Sequence, residues 1–166
     1  MDMETISYGG NVKLDQKDKK ILKTLQENGR ANVATISRKT GIPRDSVMYR
    51  INKMIKTKVI RFFHAVLNPS VIGYEIYSFV SLTLHNLTNE KEAKFLNFIK
   101  SHPNITYIAK TTGKQDFIIN VIARNLKELD EIITEIRMKF SEIVKDYETS
   151  SIIQEHKYDY MVELIK

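Results

Sequence analysis

The sequence predicts an α+β chain in two parts: a winged-type helix-turn-helix unit of three helices, joined by a strand hinge to a βαββαβ unit. Three observations predict it. Basic charge is crowded into one third of the chain. That third carries apolar residues at helical spacing, punctuated by glycine and proline. The remainder alternates strand periodicity with two amphipathic helical stretches. The expected division is a flexible arm over 1–12, a helix-turn-helix domain over 13–58, a hinge strand and turn over 59–73, and an α+β domain over 74–166.

The 166 residues carry a formal charge of +6. From Lys13 to Arg61 there are 14 Lys/Arg against 4 Asp/Glu, and from Phe62 to Lys166 there are 12 against 14. A solvated lysine-rich surface is the plain reading of such a segment. The sharper one is a module that sits on a polyanion, followed by a nearly neutral module. An apolar fraction of 42% is enough to build a core. No apolar run is long enough to span a bilayer and no signal-peptide core is evident, so a cytoplasmic location is expected. With no cysteine, disulfides, thiol nucleophiles and thiolate metal sites are excluded.

Residues 1–12 contain Gly9-Gly10 and no periodic pattern, hence the arm. The first helix, over about 15–27, opens on Asp15 as N-cap, with Asp18 three residues on. It aligns Leu14, Ile21, Leu22 and Leu25, and is expected to end at Asn28-Gly29 through a left-handed residue. Asn32 caps a short second helix bearing Val33, Ile36 and the small Ser37, stopped by Gly41. Ile42-Pro43 then starts a third helix, reaching about Lys56, with Val47, Ile51, Met54 and Ile55 as its apolar stripe. Helix, glycine turn and helix is the layout whose second helix lies in the major groove of DNA.

Off that stripe stand Arg44, Asp45, Ser46, Tyr49, Arg50 and Lys53, the candidate DNA-binding residues. Arginine can grip guanine edges, Ser and Tyr can bond phosphates or bases, and Lys neutralises phosphate. Arg50, between Val47 and Ile51, could equally brace the module through an acidic partner. Salt-sensitive binding to palindromic double-stranded DNA follows if the second part dimerises the first.

After the third helix, Val59–Leu67 reads as a strand ended by a turn at Asn68-Pro69. Residues 74–85 alternate, with Ile76, Val80, Leu82 and Leu84 on one side and Tyr77, Phe79, Thr83 and His85 on the other. A helix from Thr88 carries Phe95, Phe98 and Ile99 and closes at Ser101–Asn104. Strands over 105–112 and 116–123 flank a Thr112-Gly113-Lys114-Gln115 hairpin. Leu126, Leu129, Ile133, Ile136 and Phe140 mark a second helix, and Tyr147–Gln154 a fourth strand. This order is the ferredoxin-like split βαβ arrangement.

Helices cover only one face of such a sheet, yet Tyr77 and Phe79, with one of Phe117 or Ile118, fall on the other. Such a face ordinarily meets a second subunit, so Tyr77 and Phe79 are the candidate dimer interface. The loop Thr112, Gly113, Lys114, Gln115 and Asp116 is the candidate effector-binding site. Its glycine admits a ligand close to backbone amides, and its carboxylate could hold an ammonium group. The alternative is that Gly113 serves the hairpin and Asp116 caps its strand.

The series Leu14-Asp15, Asp18, Ile21-Leu22, Leu25, Asn28-Gly29-Arg30, Gly41, Val47, Arg50-Ile51, Met54, Val59-Ile60, Ala65, Leu67-Asn68-Pro69 and Gly73-Tyr74 resembles the Lrp/AsnC (leucine-responsive and asparagine-responsive, feast/famine) regulators over about 13–160. The resemblance implies a sequence-specific, dimer-based transcription regulator. It also implies that dimers pair through the open sheet faces and assemble further into rings, with amino-acid effectors bound at the Gly113–Asp116 hairpin. Three positions depart from the pattern: Lys58 where the family usually has Gly, Ser37 where it often has Ala, and Gln115 in place of an aromatic.

No catalytic residues, metal site or cofactor are expected. His64, His85, His102 and His156 lack metal-motif spacing, and no phosphate-binding loop or nucleophile elbow occurs. Two alternatives stand beside the regulator. Phe62-Phe63-His64-Ala65-Val66 with Gly73-Tyr74 is also similar to sirohaem decarboxylase subunits, though their aromatic and His-bearing segment has no counterpart in TYIAKTTGKQDFIINVIA. The other is an assembly or sensor module without DNA binding.

Overall fold

In the computed structural model, residues 5, 10, 12–158 and 161–165 are described. The arm expected over 1–12 therefore lies largely outside the described residues. The chain forms two compact units. One comprises the chain up to Ala65 together with the segment from Lys157 on, the other Val66–His156.

The first unit holds α1 (Gln16–Glu27), α2 (Val33–Thr40) and α3 (Arg44–Lys56). Asp15 caps α1, and its carboxylate accepts from the amides of Lys17 and Asp18 while Asp18 reaches back to the Asp15 amide, a reciprocal box. Asn32 caps α2 through the Thr35 amide. Ile21, Ile36, Ile42, Val47, Met54 and Ile60 are buried together, each contributing about 1.5–3 kcal/mol from removal of its side chain from water. Ile55, expected in the stripe of α3, is exposed. The end of α1 also differs from expectation. Asn28 is extended, with φ −151°, and no left-handed residue is used there. Its side chain accepts from the Arg30 amide instead, so an Asx turn ends the helix. Lys58, by contrast, takes the left-handed conformation with φ 60°, so the turn that glycine would favour is kept without glycine. From Lys157 on the chain returns to this unit: a short 3-10 turn, Val162–Leu164, lies against α1, where the Met161 amide donates to Gln26 Oε1. Nothing in the sequence pattern signalled that return.

The second unit runs β1 (Ile76–Leu84), α4 (Asn89–Ser101), β2 (Ile105–Lys110), β3 (Phe117–Ala123), α5 (Leu126–Lys139) and β4 (Val144–Ser151). The strands form one antiparallel sheet in the order β2-β3-β1-β4. Thr88 and Asn125 cap the two helices. Val80 and Leu82 from β1 and Phe117, Ile119 and Val121 from β3 join Phe95 and Ile99 of α4 and Leu129, Ile132, Ile133 and Ile136 of α5 in one core. Alternation in β1 is as read, and of the pair Phe117 and Ile118 it is Phe117 that enters the core. Leu126, at the first position of α5, is exposed.

Two strand expectations need correction. Residues 61–68 join no ladder. β-forming side chains do not suffice for a strand, because its amides and carbonyls need a partner edge, and the sheet of the described residues pairs only β2, β3, β1 and β4. The fourth strand begins at Val144, three residues before Tyr147, and stops at Ser151. Its position is set by β1: Leu84 pairs with Val144 and Thr83 with Asp146, with a bulge between them. An edge strand that is exposed along most of its length carries little apolar alternation from which to read that register.

Candidate nucleic-acid interface and effector hairpin

The α2–turn–α3 motif is fixed by backbone chemistry at Gly41. It caps α2 with φ 71°, a conformation that costs an L-residue about 1–2 kcal/mol, and its amide donates to the Ser37 carbonyl. Ile42 is buried immediately after, and Pro43 stands as N-cap of α3. Val47 and Met54 turn α3 onto the core. The opposite face is left outward: Arg44, Asp45, Tyr49 and Lys53 are exposed, while Ser46 and Arg50 are half-buried. Met48, Asn52 and Lys56 share that outward face. The sequence reading missed them, although a helical projection at 100° per residue centres the exposed arc near Asn52.

Arg50 stands apart from the other five. Its Nη1 donates to Asp15 Oδ1 at 2.8 Å, to Asp15 Oδ2 at 2.7 Å and to Asp18 Oδ1 at 2.7 Å. The Asp18 side chain is 7% exposed and that of Arg50 21%. The amide of Asp18 and then the Arg50 guanidinium hold the Asp15 carboxyl at about 2, below its ordinary 3.8. The same hydrogen bonds, Asp15 first, raise Arg50 above its usual value. Lys39 pairs with Glu27 across the first two helices. Among the basic side chains of this unit, Arg50 is therefore turned inward, while Arg44 and Lys53 are exposed.

In the second unit, the hairpin between β2 and β3 is closed by Thr111. Its amide donates to the Asp116 carbonyl at 2.8 Å and its hydroxyl to the Gln115 carbonyl at 2.7 Å. Gly113 has φ 112°, a region that only glycine enters without strain. Thr112, Gly113 and Lys114 are exposed, and Gln115 and Asp116 half-buried. Asp116 is tied down on both sides: its amide donates to the Leu82 carbonyl at 2.9 Å, and its Oδ2 accepts from the Leu84 amide at 2.7 Å. One carboxylate oxygen thus caps the end of β1. Thr111 was not among the expected residues, and a threonine at a hairpin base is the signal that could have found it.

On the sheet face away from the helices, Tyr77 and Phe79 are half-buried and meet edge to face, centroids 6.1 Å apart. Cross-strand register sets Tyr107, Asn120, Phe79 and Ser150 in one row and Ala109, Ile118, Ser81 and Glu148 in the next. Asn120 is fully buried within that row. It donates to the Ser78 carbonyl at 3.1 Å and accepts from the Thr106 hydroxyl at 2.6 Å. Asparagine inside a run of β-branched residues was its sequence signal.

Comparison with known proteins also divides the chain in two. Residues 14–55 match the AsnC-type helix-turn-helix domain and residues 77–162 the Lrp/AsnC ligand binding domain. An HTH-type transcriptional regulator of Pyrococcus horikoshii is 33% identical over 158 residues, which is 95% of this chain and 98% of that protein. A leucine-responsive regulatory protein of Rhizobium meliloti is 28% identical, covering 92% and 97%. Among solved structures, an AsnC family transcriptional regulator from Agrobacterium tumefaciens is 25% identical, with TM-score 0.78 over 87% of this chain and 94% of that one. A transcriptional regulator from Neisseria meningitidis, solved as an L-Met complex, has the same fold at 20% identity, with TM-score 0.79 over 88% and 94%.

Proposed function

The chain belongs to the Lrp/AsnC family of DNA-binding transcription regulators, and from that premise we propose how it engages DNA, a second copy and an effector. We place it in the cytoplasm as a regulator without catalytic function; its relatives are named as transcriptional and leucine-responsive regulators. The helix-turn-helix occupies 13–58 and the sensing and assembly domain starts at 74, with 59–73 between them, while the segment from Lys157 on belongs with the first unit. α3 enters the major groove, where Arg44, Asp45, Ser46, Tyr49 and Lys53 contact bases or phosphates. The observation that carries this is the outward polar face of α3 in a segment with 14 basic against 4 acidic residues. Two copies associate through the sheet face bearing Tyr77 and Phe79, which a single chain leaves only half-buried. A dimer presents two α3 helices to a palindromic operator, and dimers assemble into larger rings.

The hairpin Thr112–Asp116 binds a small effector, most simply an amino acid. The Neisseria relative solved with L-Met is consistent with this. Because one oxygen of Asp116 is engaged by the Leu84 amide, the ammonium group is received at Oδ1, while exposed amides around Gly113 face the carboxylate. A charge-assisted bond of that kind is worth about 1.5–3 kcal/mol. Calorimetry against the twenty amino acids, on wild type and on Asp116→Ala, tests this: roughly tenfold to a hundredfold weaker binding by the variant is expected. Equal binding by both proteins sinks the assignment of Asp116. Light scattering tests association, since Phe79→Asp should give monomer or unfolded protein where wild type is at least a dimer.

A further inference from the structure

We propose that Arg50 is a positioning residue and not a DNA contact: clamped by Asp15 and Asp18, it sets the rotation of α3 and hence where Tyr49, Asn52 and Lys53 meet the DNA. The inference rests on the reading of α3 as the DNA-facing helix. Three observations carry it. Both carboxylates are also held by bonds other than those to Arg50, because they form the reciprocal cap of α1: Asp15 Oδ1 accepts from the Lys17 and Asp18 amides at 2.8 and 2.9 Å, and Asp18 Oδ2 from the Asp15 amide at 3.1 Å. Arg50 Nη1 takes the two oxygens that remain, Asp15 Oδ2 and Asp18 Oδ1, at 2.7 Å each, and also reaches Asp15 Oδ1 at 2.8 Å. Arg50 also lies on the flank of α3 between the buried Val47 and Met54 and the outward arc. A bond there adds to the apolar contacts of Val47, Ile51 and Met54 in resisting rotation of the helix about its own axis.

The third observation is charge. One guanidinium between two carboxylates makes a cluster of net −1. A phosphate brought to Arg50 would meet that surplus negative charge beside it, so a backbone contact there is disfavoured. The outward cations Arg44 and Lys53 form no ion pair among the described residues.

The two roles predict opposite signs for one mild substitution. Asp15→Asn keeps the cap, since Asn caps a helix as well as Asp, but removes charge and weakens the clamp. If Arg50 only positions α3, the variant binds DNA roughly threefold more weakly, although it has lost a negative charge from a polyanion-binding unit. If Arg50 contacts phosphate, releasing it should tighten binding. Arg50→Met completes the test in the full chain. A positioning role predicts roughly tenfold weaker binding with the dependence of log K on log salt unchanged, because the bound state releases the same counterions. A phosphate contact predicts a slope reduced by about 0.9, and a base contact predicts loss of preference at one operator position. Arg50→Lys should restore part of the affinity, and Asp15→Asn combined with Arg50→Met should bind no worse than Arg50→Met alone.

Fluorescence anisotropy on DNA selected from a random pool gives each affinity, and circular dichroism melting shows that the variants are folded at the assay temperature. Tighter binding by Asp15→Asn, or a reduced salt slope for Arg50→Met, overturns the proposal while leaving α3 as the DNA helix, which Lys53→Ala reports separately. Should wild type bind no DNA at all, the reading of α3 falls and the proposal with it.

Discussion

The outward face of α3 and the hairpin between β2 and β3 are both polar, solvent-facing and candidate sites, but they differ in what their charged groups already do. On α3, Arg44, Tyr49 and Lys53 are exposed and the one arginine turned inward is matched by two carboxylates. In the hairpin, Asp116 is bonded through its amide and one carboxylate oxygen to the neighbouring strand. The α3 face is therefore assembled within one chain, its chemistry held ready by packing behind it. The hairpin has a scaffold in Gly113 and Thr111 but only part of a binding group. If an effector binds there as proposed, its affinity should couple to assembly in both directions.

The α3 face should be lost most completely when its support is removed. Val47 is fully buried, and Val47→Asp should cost about 3–5 kcal/mol by placing an unpaired charge in the core. Thermal melting should show that loss together with loss of DNA binding. Asp116→Ala is the matching lesion at the hairpin. Removing the acceptor of the Leu84 amide should destabilise the protein by about 1–2 kcal/mol, read from the denaturant midpoint, even if no effector is present. If stability is unchanged, the carboxylate is not bound to β1 as described.

A smaller effect of opposite sign is expected at Lys58. Its φ of 60° is strained for any residue with a Cβ, so Lys58→Gly should stabilise the first unit by about 1 kcal/mol. The smallest effect is pH dependence at Asp15. Its carboxyl is held at about 2 against an ordinary 3.8, so folding favours the charged form. Its contribution is complete above the ordinary value and is lost as the pH falls through about 2. The stability difference between wild type and Asp15→Asn should accordingly be constant near neutral pH and shrink below the ordinary value, as acid titration of both would show.

Much of this architecture was legible in the residues. Caps at Asp15, Asn32 and Thr88 and the apolar spacing of α3 and α5 are local, and local chemistry decides them. What escaped was decided by partners distant in sequence. β4 takes its register from β1 and carries few apolar residues of its own. Residues 61–68 have strand-forming side chains but pair with no strand. Asp18 and Thr24 are buried although both are polar, because Arg50 satisfies one and the Lys20 carbonyl accepts from the hydroxyl of the other. At the candidate sites, residue types pointed to DNA at α3, yet the bracing of Arg50 and the strand-capping by Asp116 stood only as alternatives until the partners were seen.

The central claim is that α3 meets DNA through Arg44 and Lys53 while the remaining groups support it. Its most direct test is anisotropy titration of the full chain on selected palindromic DNA, between about 50 and 200 mM salt. Affinity should fall steeply with salt, and Arg44→Ala and Lys53→Ala should each weaken binding. Lys53→Ala should do so about equally on all sequences, with the salt slope reduced by about 0.9. Affinity that ignores salt, or that neither substitution changes, would contradict it.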